Sequence, residues 1–337
     1  QGKATPYNIA QDATEHHEPW PGGRPNHYLF DLNRDWAWAT QIETQERLKV
    51  YNQWLPHVHV DFHEQGINDP YYFAPAAEPF HEEITDFQRD FQTKIGKNHA
   101  KYFDENGWLF FTKERFDLLY PSYGDTYPTF MGAIGMTYEQ AGHGRAGLGI
   151  NTDEGNVLTL NDRVAHHTTT GLSTIEVASN NAAELNAEFN AFFNNTTNKA
   201  SYILNGSQDK IDAVTNLLDK HEIVYNFGES GNVSGYNYKT QKNGSMKVTT
   251  GSLIISANQP KGKMVTTLFE PQTKIADSLT YDITAWSIPY AYGLDAVATT
   301  KSVSGNTSRQ RSDISNNPMT SSAGYISKWD SMKDARF

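Results

Sequence analysis

His57-Val58-His59-Val60-Asp61-Phe62 alternates strictly between small apolar or aromatic residues and polar ones. Such a run is a strand with Val58, Val60 and Phe62 on one face and His57, His59, Asp61 and His63 on the other. Before it, Leu48, Tyr51 and Leu55 recur at helical spacing in a Gln/Glu/Arg-rich segment closed by Pro56, which predicts a helix over 38–54. After it, Phe80, Ile84, Phe87, Phe91 and Ile95 predict a long amphipathic helix that stops near Gly107. Residues 108–112 and 133–139 read as short apolar strands, with a Gly-rich loop over 142–149. Thr159 is placed to cap a helix carrying Leu160, Val164, His167, Leu172 and Ile175, and Leu185, Phe189 and Phe192 continue a second helical stripe. Strands alternating with helices indicate a layered α/β domain.

A polar break at 194–198 separates this region from one richer in Ser, Thr, Asn and Gly. Beyond it, residues 202–204, a helix with Ile211, Val214 and Leu218, and residues 223–225 read as a β-α-β unit, with further strands over 251–257 and 264–269. Residues 303–322 read as a polar surface loop or tail, and 324–329 as the start of another strand. The expected division is therefore 1–197 and 198–337, the second part a smaller α/β accessory unit.

Composition narrows the function classes. The chain has 337 residues, 37% hydrophobic and 12% aromatic, ample for a real core. A net charge of -11, with no run of basic residues, argues against a nucleic-acid partner and for small or peptide ligands. No apolar stretch is long enough to span a bilayer, and no charged-then-apolar leader stands at Gln1. The absence of cysteine rules out disulfides and says little about compartment.

Three segments carry chemistry in order: Phe30-Asp31-Leu32-Asn33-Arg34-Asp35-Trp36, then Val60-Asp61-Phe62-His63-Glu64-Gln65-Gly66, then Gly135-Met136-Thr137-Tyr138-Glu139-Gln140. An Asn-Arg pair can grip a carboxylate, because the guanidinium fork matches its two oxygens. A His closing an apolar strand can offer a metal one nitrogen, and a Glu closing another can take a proton from water. In this order the segments resemble the zinc carboxypeptidases of the peptidase M14 family, over about residues 7–193. The resemblance implies a three-layer α/β/α sandwich with a mixed sheet, and zinc as cofactor. It implies His63 as a metal ligand, Glu139 as general base, Asn33 and Arg34 on the substrate's terminal carboxylate, Arg24 polarising the scissile carbonyl, and a tyrosine covering bound substrate, for which Tyr120 is preferred over Tyr123 and Tyr127 by its placement before Asp125. Asp125 fits the loop that shapes the specificity pocket, while Gly124 before it carries no side chain to read. It also implies export, to the periplasm or outside the cell.

The family's His-x-x-Glu zinc motif is absent, since none of the twelve histidines is followed by Glu at the third place. The resemblance starts where the family has already passed its first two zinc ligands, so a truncated, inactive chain is expected. His57 and His59 read as packed or hydrogen-bonded, and a metal site built only from His57, His59, Asp61 and His63 would be strongly distorted. Three functions stay open: a metallocarboxypeptidase-like peptide hydrolase, a non-catalytic binder of peptides or small carboxylates, and an amide hydrolase of the same fold acting on a small acylated amino acid.

Overall fold

Asp35 sets where the first long helix begins. Its carboxylate accepts from the Thr40 backbone and hydroxyl (2.9 and 2.6 Å) and from the Gln41 backbone (2.9 Å). The chain is held in a turn there, and α1 starts at Ile42 (Ile42–Trp54), four residues later than the spacing predicts. The computed structural model describes residues 6–17, 22–194, 198–275, 280 and 285–306. In the first part, α1 is followed by β1 (Val58–Gln65), β2 (Tyr71–Tyr72), β3 (Ala77–Phe80), α2 (Asp86–Asn106), β4 (Phe110–Phe111), β5 (Asp117–Leu118), α3 (Thr126–Phe130), β6 (Ile134–Ala141), β7 (Gly149–Asn151), β8 (Val157–Thr159), α4 (Leu160–Asn180) and α5 (Ala182–Asn194). The protein is a mixed α/β molecule with several sheets.

Four strands form the sheet that matters most, in the order β1-β6-β2-β4. β1 and β6 run parallel, β2 is antiparallel to β6, and β4 is parallel to β2. Alternation divides its faces. Val58, Val60, Ile134, Met136 and Tyr138 pack with Phe91, Ile95 and Phe103 of α2, Val177 of α4 and Leu185 of α5. On the opposite face His59 meets the rings of Trp36 and Tyr51, and Gly135 backs onto the Asp125 carbonyl of the loop leading into α3.

The helix ends follow local chemistry. Thr85 and Gln88 make a reciprocal capping box on α2, and Gly107 closes that helix at φ 69°. This cap starts α2 at Asp86, so Phe80, expected in the helix, lies in β3. Thr159 and Asp162 cap α4 in the same way. The expected apolar stripe of α4 faces outward: Leu160, Val164, Leu172 and Ile175 are 41 to 65% exposed. Its inward face is made of hydroxyls, with Ser173 on His99 (2.7 Å), Thr174 on Tyr138 (2.7 Å) and Thr170 on Tyr71 (2.9 Å). Hydrogen bonding overrides apolar periodicity on this helix.

The second part contains β9 (Ser201–Asn205), α6 (Gln208–Lys220), β10 (Tyr225–Phe227), β11 (Gly231–Asn237), β12 (Lys242–Val248), β13 (Leu253–Ser256), α7 (Gly262–Phe269), α8 (Ile288–Ala291) and β14 (Asp295–Thr299). Its six-stranded sheet has the order β10-β13-β9-β14-β11-β12 with every neighbouring pair antiparallel. The expected β-α-β unit is therefore split, with β13 lying between β9 and β10. Residues 264–269, expected as a strand, belong to α7, where Met264, Val265, Leu268 and Phe269 are buried at steps of one and three. The β-branched residues suggested a strand, but this spacing fills one side of a helix. Val303 and Asn306 bond to Ser201 and Phe227, while the rest of the polar tail and the strand expected over 324–329 lie outside the described residues.

The two parts have separate sheets but share an apolar cluster that runs from Trp36, Leu48, Tyr51 and Tyr127 into Leu204, Leu218 and Leu268. His221 stitches them together. Its Nδ1 lies 3.0 Å from the Tyr127 hydroxyl and its Nε2 2.8 Å from the Ala37 carbonyl. Burial pulls its pKa down to about 4, so the ring is neutral at neutral pH. No helix among the described residues is long and apolar enough to cross a membrane. His221→Ala should leave two buried polar groups unpaired and a void, costing on the order of 3 kcal/mol. Urea denaturation would measure it, and a loss below about 1 kcal/mol would show that this junction carries little stability.

Candidate functional site

Parallel register brings the site together. His63 of β1 stands opposite Glu139 of β6, and Asp61 stands opposite Thr137. Opposed residues in such a pair project from the same face. The loop carrying Asn33 and Arg34 packs over this face, and the loop before α3 closes it from the other side. The result is a small cleft lined by Arg24, Asn33, Arg34, His63, Phe116, Asp117, Tyr123, Asp125, Thr137 and Glu139. A wider, more open lobe shares Arg24, Asn33 and His63 with it and extends along Trp36, Arg47, Glu64 and His143.

Asn33 is the hub. Its Nδ2 donates to Asp61 Oδ2 (3.0 Å) and lies 2.9 Å from His63 Nε2, while its Oδ1 accepts from the Gly124 backbone (2.7 Å) and Trp36 Nε1 (3.3 Å). The two donors at Oδ1 fix which way round the amide sits. Expected to grip a carboxylate, Asn33 instead has its side-chain hydrogen bonds engaged inside the protein. Gly124 allows a close approach here: a Cβ would collide with Asp61 Oδ2, so a side chain would displace either the loop or the Asp61 carboxylate from Asn33.

His63 and Asp61 form a close pair, with Nε2 2.7 Å from Oδ2. Burial is the largest influence on His63 and lowers its pKa, but the Asp61 hydrogen bond and the charges of Asp61 and Glu139 together outweigh it and raise the pKa overall. Glu139 is 8% exposed, and its carboxylate has no hydrogen bond among the described residues. Burial pushes it up to about 7; His63 and Arg24 oppose the shift, and Asp61 and Asp125 add to it. Asp125, fully enclosed and accepting from Thr137 (3.0 Å), is also pushed up to about 7 by burial and by Asp61. Two buried carboxyls beside one cleft are thus balanced between charged and neutral near neutrality.

Arg34 lies 4.1 Å over the Tyr123 ring and donates to the Asn33 carbonyl (2.9 Å). Arg24 pairs through Nε with Asp31 (2.8 Å). Tyr120, expected over the ligand, does not line the cleft. It is 4% exposed, stacks on Trp38 and donates to the Trp286 carbonyl (2.8 Å), and Tyr123 occupies the cleft wall instead. His57 and His59 are packed, the first on Phe189 and the second between Trp36 and Tyr51. The sequence offers Tyr123 beside Tyr120, and placement favours Tyr120, while strand alternation puts Asp61 on the His63 face without giving it a role.

The donor set does not fit a complete metal centre. Among the described residues no group of three or more His, Asp or Glu side chains is arranged to hold a metal ion. His63 Nε2 already faces Asp61 and Asn33, and a catalytic zinc takes three protein ligands. The chain matches no protein-family model, no curated protein and no solved structure.

The raised carboxyls carry a pH signature. Glu139 and Asp125 hold protons more tightly folded than unfolded, so their stabilising contribution is full below pH 4 and is lost as pH rises to about 7. Glu139→Gln removes its share. The variant should be more stable than the parent at pH 8 by on the order of 2 kcal/mol and no more stable at pH 4. Urea titrations at the two pH values check this, and an equal difference at both would mean that Glu139 is not held neutral by burial.

Proposed function

We propose that this chain carries the carboxylate-recognising part of a metallocarboxypeptidase-like hydrolase, and that its described residues act by capturing a peptide's terminal carboxylate. The observation that supports this most is the single cleft shared by His63, Glu139, Arg24 and Arg34. Arg34 and Arg24 bring two guanidinium groups to a pocket whose buried carboxyls Glu139 and Asp125 are half neutralised near pH 7, which weakens their repulsion of an incoming anion. Neutral Glu139 can donate to that anion, and its pKa near neutrality is what proton uptake and return require. Helices on both faces of the first sheet are consistent with a three-layer α/β/α sandwich, and the separate second sheet with an accessory α/β unit.

Hydrolysis is not assigned to these residues alone, because one imidazole and a hydrogen-bonded carboxylate fall short of a zinc ligand set. Of the two ligand classes, the wide outer lobe favours an extended peptide over a small acylated amino acid.

Calorimetric titration with an acetylated dipeptide and its C-terminal amide tests this reading. The free acid should bind at least about tenfold more tightly, Arg34→Ala should erase the difference, and affinity should weaken as pH rises through about 7. Equal binding of acid and amide would end the proposal. Zinc should bind weakly and give no cleavage of blocked dipeptides; stoichiometric submicromolar binding with His63-dependent hydrolysis would instead show a complete ligand set.

A further inference from the structure

Three ion pairs border the outer lobe, and Arg47 belongs to none of them. Asp31 pairs with Arg24, Asp61 with His63, and Glu64 with Arg163 (2.8, 2.7 and 2.9 Å). Arg47, which lines the same lobe, has no carboxylate within ion-pair distance among the described residues. Its guanidinium carbon sits 3.6 Å over the Trp36 ring, and its Nη2 donates to the Leu32 carbonyl (3.1 Å). Nε is enclosed without a partner, whereas Nη1 is neither enclosed nor hydrogen-bonded.

A purely structural role explains this poorly. Packing on an indole and capping one carbonyl can be met by a neutral side chain, without the cost of partly burying a charge that makes no ion pair. Burial does depress the Arg47 pKa, while the more distant Asp61 and Asp35 support the charged form. The stack and the Leu32 bond fix the plane of the guanidinium and leave one edge facing the lobe, which is how an arginine is prepared for an oxyanion.

We propose that Arg47 anchors a second anion subsite in the outer lobe, which takes an acidic side chain of a peptide whose terminal carboxylate occupies the inner cleft. The ligand class is then an acidic C-terminal peptide rather than a neutral one. The inner-cleft half of this statement rests on the carboxylate-capture reading above; the Arg47 half does not.

The test compares acetyl-Glu-Ala-Ala with its Gln isostere, each as free acid and as C-terminal amide, by calorimetry on the whole chain at low salt. The Glu peptides should bind about tenfold more tightly than the Gln peptides in both forms. Arg47→Gln should remove that preference, and Arg47→Lys should keep part of it. Equal binding of Glu and Gln peptides by the unaltered chain overturns the subsite whether or not a variant folds, as does a preference that survives Arg47→Gln. If the Glu preference holds while acid and amide bind alike, the subsite stands and carboxylate capture in the inner cleft fails.

Discussion

The parallel pairing of β1 with β6 is the constraint on which the rest depends. Its register puts the apolar residues of both strands under α2 and α4 and the polar ones on the opposite side. A slip of one residue would turn Val58, Val60, Met136 and Tyr138 away from that core and turn His63 and Glu139 into it. Burial of the apolar face therefore fixes the polar face, and the site needs no separate device to align its two strand-end residues. What the strands cannot do is orient the side chains. That falls to the Asn33 amide, whose four hydrogen-bonded neighbours come from β1, from its own turn and from the loop before α3.

Much of this was legible in the sequence because it is local. The alternation of 57–62, the helical step of Phe87, Phe91 and Ile95, and the cap at Thr159 are each decided within a few residues, and each is found. Failures came where a distant partner decides. The inward face of α4 is set by His99, Tyr138 and Tyr71 of other elements, which hydrogen-bond its hydroxyls, so its leucines face out. α7 reads as a strand by composition, and only its packed side identifies a helix. At the site, the order of Asn33, Arg34, His63 and Glu139 was readable. That Asn33 is internally engaged, and that Tyr123 rather than Tyr120 lines the cleft, depends on contacts across about 30 and 90 residues of chain.

The second part of the chain supports the floor of the cleft. Thr280 donates to Asp117 (2.6 Å), Trp286 accepts from Tyr120, and His221 holds Tyr127, whose ring stacks on Trp36. Trp36 in turn carries Arg47 on its ring and donates to Asn33. A chain of buried contacts thus leads from α6 to the amide at the centre of the site. Loss of the second part would release these aromatic supports and free the Asp117 carboxylate of the cleft wall from Thr280, so the second part is coupled to the site mainly through packing.

Holding Glu139 and Asp125 away from water works against folding at neutral pH, and nothing in the local packing requires either charge. Thr137 and the backbone partly satisfy Asp125, but the Glu139 carboxylate gains no hydrogen bond at all among the described residues. A glutamine or a leucine would fill that space at lower cost. On the carboxylate-capture proposal, an incoming anion would raise the proton affinity of these acids further and be met by a neutral, donating carboxyl. Arg47, in the adjoining lobe, is likewise a partly buried charge, one that makes no ion pair among the described residues. Both instabilities would be relieved by one kind of molecule, an extended anionic chain lying along the groove from Arg34 past His63 to Arg47.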